Sequence, residues 1–242
     1  MSNQLPFRFS IQGLPEGEAL TGSEAEERLF EKLEAAGGKC LESLWSLASL
    51  YSRSGHQDQA AGCMHRIIEL TDDAERHGSC CLALGQLAEQ RGDYADAVTQ
   101  YREAFAMEPA SRDTWYFIHN NLGYSLNQVS DHQAAMPYLR AALEIDPERP
   151  NAYKNLGLSL QALGDLEGAA ELFIAATQVN ASDARSLGHL ESLVDQHPSL
   201  LVDVPDLRDR LEACRQAVEV ARSQQPDLDA YWDDVRRRQK GE

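Results

Sequence analysis

Apolar residues along most of the chain recur every three or four positions, and the recurrences fall into matched blocks. The clearest block runs Cys81, Leu84-Gly85, Ala88, then Gly92-Asp93-Tyr94, then Ala97, Tyr101, Ala104 and Pro109. A second runs His119, Leu122-Gly123, Leu126, Ala135, Leu139, Ala142 and Pro147, and a third Tyr153, Leu156-Gly157, Leu160, Gly164-Asp165, Ala169, Phe173 and Ala176. A looser block precedes them with Leu44, Leu47-Ala48, Tyr51, Gly55, Ala60, Met64 and Ile67. The spacing predicts two amphipathic helices per block, joined by a short turn. The turn marker Gly-Asp, or a relative of it, precedes Ala60, Ala97, Ala135 and Ala169, which are 37, 38 and 34 residues apart.

The residue types explain the pattern. Small residues at the Leu-Gly position and at the recurring alanine let helices approach closely, and large residues a turn away fill the remaining space. A glycine tolerates the positive φ that ends one helix, and the aspartate after it caps the next. Pro109 and Pro147 end second helices, while Pro137 falls inside one and costs it a backbone hydrogen bond. Asp72 and Ala181 stand where the other units carry a terminating proline. Pro109 and Pro147 are 38 residues apart, four more than 34, which is about one extra helical turn. That turn carries Trp115, Tyr116, Phe117 and Ile118. Four consecutive large residues cover every face of a helix, so part of the run is core, and Phe117 above all is expected at the binding face.

A single block cannot bury its apolar face alone, so the blocks must stack and end in caps. Ser23 to Ala36 reads as an amphipathic helix through Ala25, Leu29, Phe30 and Leu33. Asp206 to Ser223 carries a stripe at Leu207, Leu211, Cys214, Val218 and Ala221, and Asp227 to Gln239 another at Leu228, Tyr231, Trp232 and Val235. The organisation expected is an extended segment at 1–21, a capping helix at 22–37, a repeat array at 38–196 and capping helices at 197–242.

From about Lys39 to Val194 the blocks resemble the tetratricopeptide repeat (TPR) family, a 34-residue helix–turn–helix with the pattern W-x2-L-G-x2-Y…A-x3-F…P. The resemblance implies an all-α chain, an α-α superhelix or right-handed solenoid of about four to five helix pairs. It also implies a protein-binding scaffold rather than an enzyme, with the first helix of each pair lining a concave face. Ligand-facing positions of the family then fall on Glu42, Trp45, Ser49 and Arg53, and on Ser79, Leu82, Gln86, Glu89 and Gln90. They continue on Phe117, Asn120, Asn121, Tyr124, Asn127 and Gln128, and on Asn151, Lys154, Asn155, Leu158 and Gln161. This row is rich in amides and aromatics. An amide donates and accepts at once, so it suits the backbone of an extended peptide read without regard to sequence. Asn121 and Asn155 share one repeat position, and two readings stand for it: a ladder along a bound peptide, or a brace between helices. Ligand contact is favoured for Asn120, Tyr124 and Lys154. The family's clamp for a terminal carboxylate needs cations on the first and third units; here those positions hold Trp45, Ser49, Phe117 and Asn121, so that ligand is not implied.

Charge and composition narrow the partners. The chain of 242 residues has 22 Lys and Arg against 39 Asp and Glu, a formal charge of −17. Such a surface repels nucleic acid and anionic lipid. The one basic cluster, Arg236, Arg237, Arg238 and Lys240, reads as cations at a helix C-terminus. No apolar run is long enough to span a bilayer, and the N-terminus lacks a secretory pattern, so a cytoplasmic protein with reduced cysteines is expected. An alternative reading is a homo-oligomer, such as a homodimer, that pairs through the Tyr231 and Trp232 face.

Enzymatic motifs are not found: there is no phosphate loop, H-E-x-x-H or nucleophile elbow, and no cofactor or catalytic residue is assigned. His77, Cys80 and Cys81 with Cys63 would make a thiolate–imidazole metal site. Close-packed small residues explain the two adjacent cysteines as well, and without a paired C-x2-C the packing reading is preferred. His119 replaces a large core residue and is read as packed. The stretch "LPFRFSIQGL" alternates Leu5, Phe7, Phe9 and Ile11 with other residues, an extended one-sided pattern. It is read as a built-in ligand for a groove, against the alternative of a tail.

Overall fold

The structure is a computed structural model describing residues 23–224. The alternating stretch at Leu5 to Ile11, the final helix expected from Asp227 and the basic cluster lie outside the described residues. Among the described residues there are twelve helices, and the chain divides into two compact units, Met1–Ile145 and Asp146–Glu242.

In the first unit, α1 (Glu24–Ala35) packs on α2 (Leu41–Arg53), and three helix hairpins follow: α2 with α3 (Gln57–Leu70), α4 (Ala74–Gln90) with α5 (Tyr94–Ala106), and α6 (Arg112–Gln128) with α7 (His132–Ile145). Helix α1 starts where the Ser23 hydroxyl accepts from the Glu26 amide at 3.2 Å, with Glu24, Glu26 and Glu27 favourably placed at the positive end of the helix. Its Phe30 and Leu33 join Leu44, Leu47, Tyr51 and Ile67 in one core. The Tyr51 hydroxyl donates to the fully buried Glu26 carboxylate at 2.8 Å.

The hairpin turns follow the expected chemistry. Gly55 and Gly92 have φ of +79° and +76°. Asp93 accepts from the Asp96 amide at 3.1 Å and Asp131 from the Ala134 amide at 3.3 Å. Ser130 takes the glycine's place at φ +65°, a conformation that costs a β-carbon-bearing residue about 1 kcal/mol.

The Leu-Gly position is a notch. A β-carbon on Gly85 would collide with the Tyr101 ring, and one on Gly123 would sit 2.5 Å from Leu139 Cγ. The extra turn expected in α6 is present: α6 has 17 residues, against 13 in α2. Tyr116 and Ile118 are buried and Phe117 is exposed. Helix α4 also has 17 residues, a second extension not anticipated above. Pro137 lies within α7, whose Ala135, Leu139 and Ala142 face the core.

The second unit holds α8 (Pro150–Ala162), α9 (Leu166–Val179), α10 (Arg185–Gln196), the short α11 (Leu200–Asp203) and α12 (Leu207–Gln224). Helices α8 and α9 repeat the hairpin: Gly164 has φ +86°, Asp165 accepts from the Gly168 amide at 2.9 Å, and a β-carbon on Gly157 would lie 2.7 Å from the Phe173 ring. Leu207, Leu211 and Cys214 of α12 pack with Leu190, Leu193 and Phe173. Arg210 grips both carboxylate oxygens of Glu171 on α9, and Arg215 pairs with Glu191 on α10 at 2.7 Å. No described helix is long and apolar enough to cross a membrane.

Candidate peptide-binding groove

Helix α2 buries Leu44, Leu47, Ala48 and Tyr51, so its 3.6-residue period turns Glu42, Trp45 and Ser49 outward. The Trp45 side chain is 41% exposed and stands where two hollows meet. One, of about 580 Å³, lies between α2 and the start of α4 and is lined by Leu41, Glu42, Trp45, Ser46, Ile67, Asp73, Glu75, Arg76 and Ser79. The other, of about 200 Å³, runs along α2 and α4 past Ser49, Arg53, Met64, Gln86, Leu87 and Gln90. An indole wall with amides along the floor supplies apolar area together with unsaturated donors and acceptors.

The polar character continues onto α4 and α6. The Ser125 hydroxyl donates to Glu89 Oε1 at 2.8 Å. Burial raises the Glu89 carboxyl above its usual range, opposed by hydrogen bonds from Ser125 and Tyr101. The buried Tyr101 hydroxyl lies beside Glu89 and Asn121, and burial pushes its pKa upward. Tyr124 is half-buried and meets Tyr94 edge to face at 6.0 Å. Gln86 and Gln128 are exposed, and Phe117 is 36% exposed.

The asparagines differ in burial and partners. Asn120 is buried, with Nδ2–H donating to Asn121 Oδ1 at 3.0 Å. Asn121 is half-buried and sits against Tyr101 of the preceding hairpin. Within the second unit the equivalent Asn155 is buried. There Asn151 and Lys154 are half-buried, and Lys154 Nζ donates to Asn151 Oδ1 at 3.4 Å. Burial, helped by Arg185, lowers the Lys154 pKa, while Asp183 opposes the shift. Leu158 is half-buried against the core of α9, α10 and α12.

The four residues weighed against packing as a metal site do not converge. Cys63 and Cys80 belong to the core that α1 to α4 share, whereas Cys81 faces Ala104 and Ile118 on the other side. All five cysteines are free thiols. His119 is a packed residue: its Nδ1–H donates to the Trp115 carbonyl oxygen at 2.8 Å, and its ring touches Phe105, Trp115 and Tyr138. Burial lowers its pKa.

Successive helix hairpins with a glycine notch, a capped turn and an outward-facing amide row define a helical-repeat protein. Two family models described as tetratricopeptide repeat match residues 82–150 and 126–191. Among curated proteins, human tetratricopeptide repeat protein 7A is 30% identical over 143 residues, covering 59% of this chain. Photosystem I assembly protein Ycf3 of Acaryochloris marina is 36% identical over 89 residues, covering 36% of this chain. The matches span only 16% and 53% of those relatives' own lengths. Of solved structures, MamA from Desulfovibrio magneticus superposes with a TM-score of 0.60 at 20% identity, covering 76% of this chain and 96% of that one. YrrB, a TPR protein with an unusual peptide-binding site, superposes with a TM-score of 0.59 at 19% identity, covering 84% and 94%. These structural likenesses concern the fold. The chain is a tetratricopeptide repeat protein by its matches over residues 82–191, and proteins with these repeats are typically non-enzymatic scaffolds that bind other proteins or peptides.

Proposed function

We propose that the chain is an adaptor or scaffold that holds an extended segment of a partner protein along the outward faces of α2, α4 and α6. The observation that carries this reading is Trp45, a large exposed aromatic at the junction of two hollows; aromatics of this kind dominate binding energy at interfaces. Gln86, Gln90, Asn121 and Gln128 offer paired donors and acceptors to a peptide backbone. Glu42 and Glu89 favour a segment with amide or ammonium donors over one ending in a carboxylate. Phe117 and Tyr124 extend the apolar contact, and Asn120 supports Asn121 from behind; in the second unit, taken by itself, Asn151 and Lys154 are the proposed contacts on α8. Asn155 and Leu158 serve chiefly as supports. Similarity to YrrB, a TPR protein with a peptide-binding site, agrees with this reading. Residues 38–196 are assigned to the repeat array, with α1 and α12 as caps.

A random-peptide library displayed on phage tests the proposal. Peptides selected by the full chain should lose binding to Trp45→Ala and to Gln86→Ala while still binding Arg140→Ala, a change at an exposed α7 position. Selected peptides that bind all three variants equally would contradict the assignment.

A further inference from the structure

Helix α4 directs His77 and Cys81 to one face, four residues apart, and α5 brings Glu103 to meet them. One ligand atom from each residue, taken together, lie within 4.8 Å of one another. His77 Nε2–H donates to Glu103 Oε1 at 3.1 Å, and the Cys81 thiol is hydrogen-bonded to the same carboxylate. A β-carbon at Gly78 would lie 3.5–3.6 Å from Met107, Ala104 and Pro109, so this stretch of α4 runs close to the end of α5.

A histidine–glutamate pair alone would serve as a bridge between two helices. A bridge does not require a thiol in the same gap. Together the three side chains offer one sulfur, one nitrogen and one oxygen, the donor set of a borderline-soft divalent cation. Tetrahedral zinc with ordinary bond lengths sets its ligands about 3.4–3.6 Å apart. The observed nitrogen–oxygen separation of 3.1 Å is already close to that, and small side-chain rotations are needed to bring the sulfur in from its place within 4.8 Å of the other two atoms. Cys81 is fully buried, while the side chains of His77 and Glu103 are 22% and 47% exposed. The gap therefore has a dry floor and an open mouth, and solvent can supply the fourth ligand.

We infer that His77, Cys81 and Glu103 form a binding site for a zinc-class divalent cation, which staples α4 to α5. Binding takes one carboxylate oxygen, the Cys81 thiolate and the Nε2 lone pair of neutral His77 in the tautomer that carries its proton on Nδ1; the thiol proton passes to solvent, and the Nε2 proton is exchanged through solvent for one on Nδ1. Two carboxylate-directed hydrogen bonds are exchanged for three coordinate bonds, and no redox change occurs. The site adds to the peptide-binding role and stands independently of it.

Cobalt(II) is the probe, because a thiolate ligand gives it a sulfur-to-metal charge-transfer band and a four-coordinate site gives strong visible bands. The reduced full chain should develop both, saturating at one equivalent, and zinc should bleach them. Cys81→Ala should lose the charge-transfer band. Glu103→Gln, at an exposed position where folding is not at issue, should weaken cobalt binding at least ~10-fold. Cys80→Ala should leave the spectrum intact. The inference is overturned if the wild-type chain shows no charge-transfer band at stoichiometric cobalt, or if the band survives in Cys81→Ala.

Discussion

The Tyr101 ring occupies the space that a β-carbon on Gly85 would need. Helix α5 rests in a notch on α4, and the same relation joins Gly123 to Leu139 and Gly157 to Phe173. Gly85→Ala forces the Tyr101 ring aside, and such overpacking costs about 1–3 kcal/mol, more than the helix propensity that alanine gains. Gly188 in α10 has nothing within 4 Å of its missing β-carbon. Gly188→Ala should therefore stabilise by about 0.5–1 kcal/mol. Urea unfolding of the two variants checks the opposite signs.

Helix α1 is fastened through a buried pair. Tyr51→Phe removes one donor from the fully buried Glu26 carboxylate, and leaving a buried acceptor short costs about 1–3 kcal/mol. Amide hydrogen exchange should then quicken in α1 first, ahead of α4 and α5.

Two histidines make stability depend on pH. Burial lowers the pKa of both His119 and His189 below the ordinary 6.5. The unfolded chain therefore takes up protons before the folded one does as pH falls. Their contribution is complete above the unfolded pKa and is lost as pH drops through the lower folded values. Thermal unfolding followed from about pH 7.5 to about pH 5 should show falling stability, and His119→Phe with His189→Phe should flatten the slope.

Much of this was written in the sequence because the repeat forces it. The alanine spacings of 37, 38 and 34 and the Leu-Gly pairs mark where helices touch, and the structure places a ring or a leucine in each notch. The longer α4 was missed although the spacing of 37 between Ala60 and Ala97 carries it: no aromatic run marks the added residues, as Trp115 to Ile118 do in α6. The nearness of Asn121 to Tyr101 was not legible because it joins two hairpins, and one repeat position serves both a brace and a ligand contact. Glu26 with Tyr51, Ser125 with Glu89, and Glu103 with His77 and Cys81 were not foreseen. Each joins residues 22 to 36 positions apart in the chain, and a glutamate on one helix gives no local hint of which side chain meets it.

The central claim is that a partner segment lies against Trp45. Its most direct measurement is the affinity of a library-selected peptide for the wild-type chain and for Trp45→Ala, read by fluorescence anisotropy with folding checked by circular dichroism. Loss of an aromatic anchor worth about 2 kcal/mol or more predicts a Kd raised at least ~30-fold. A Kd unchanged in a folded Trp45→Ala protein would contradict the account.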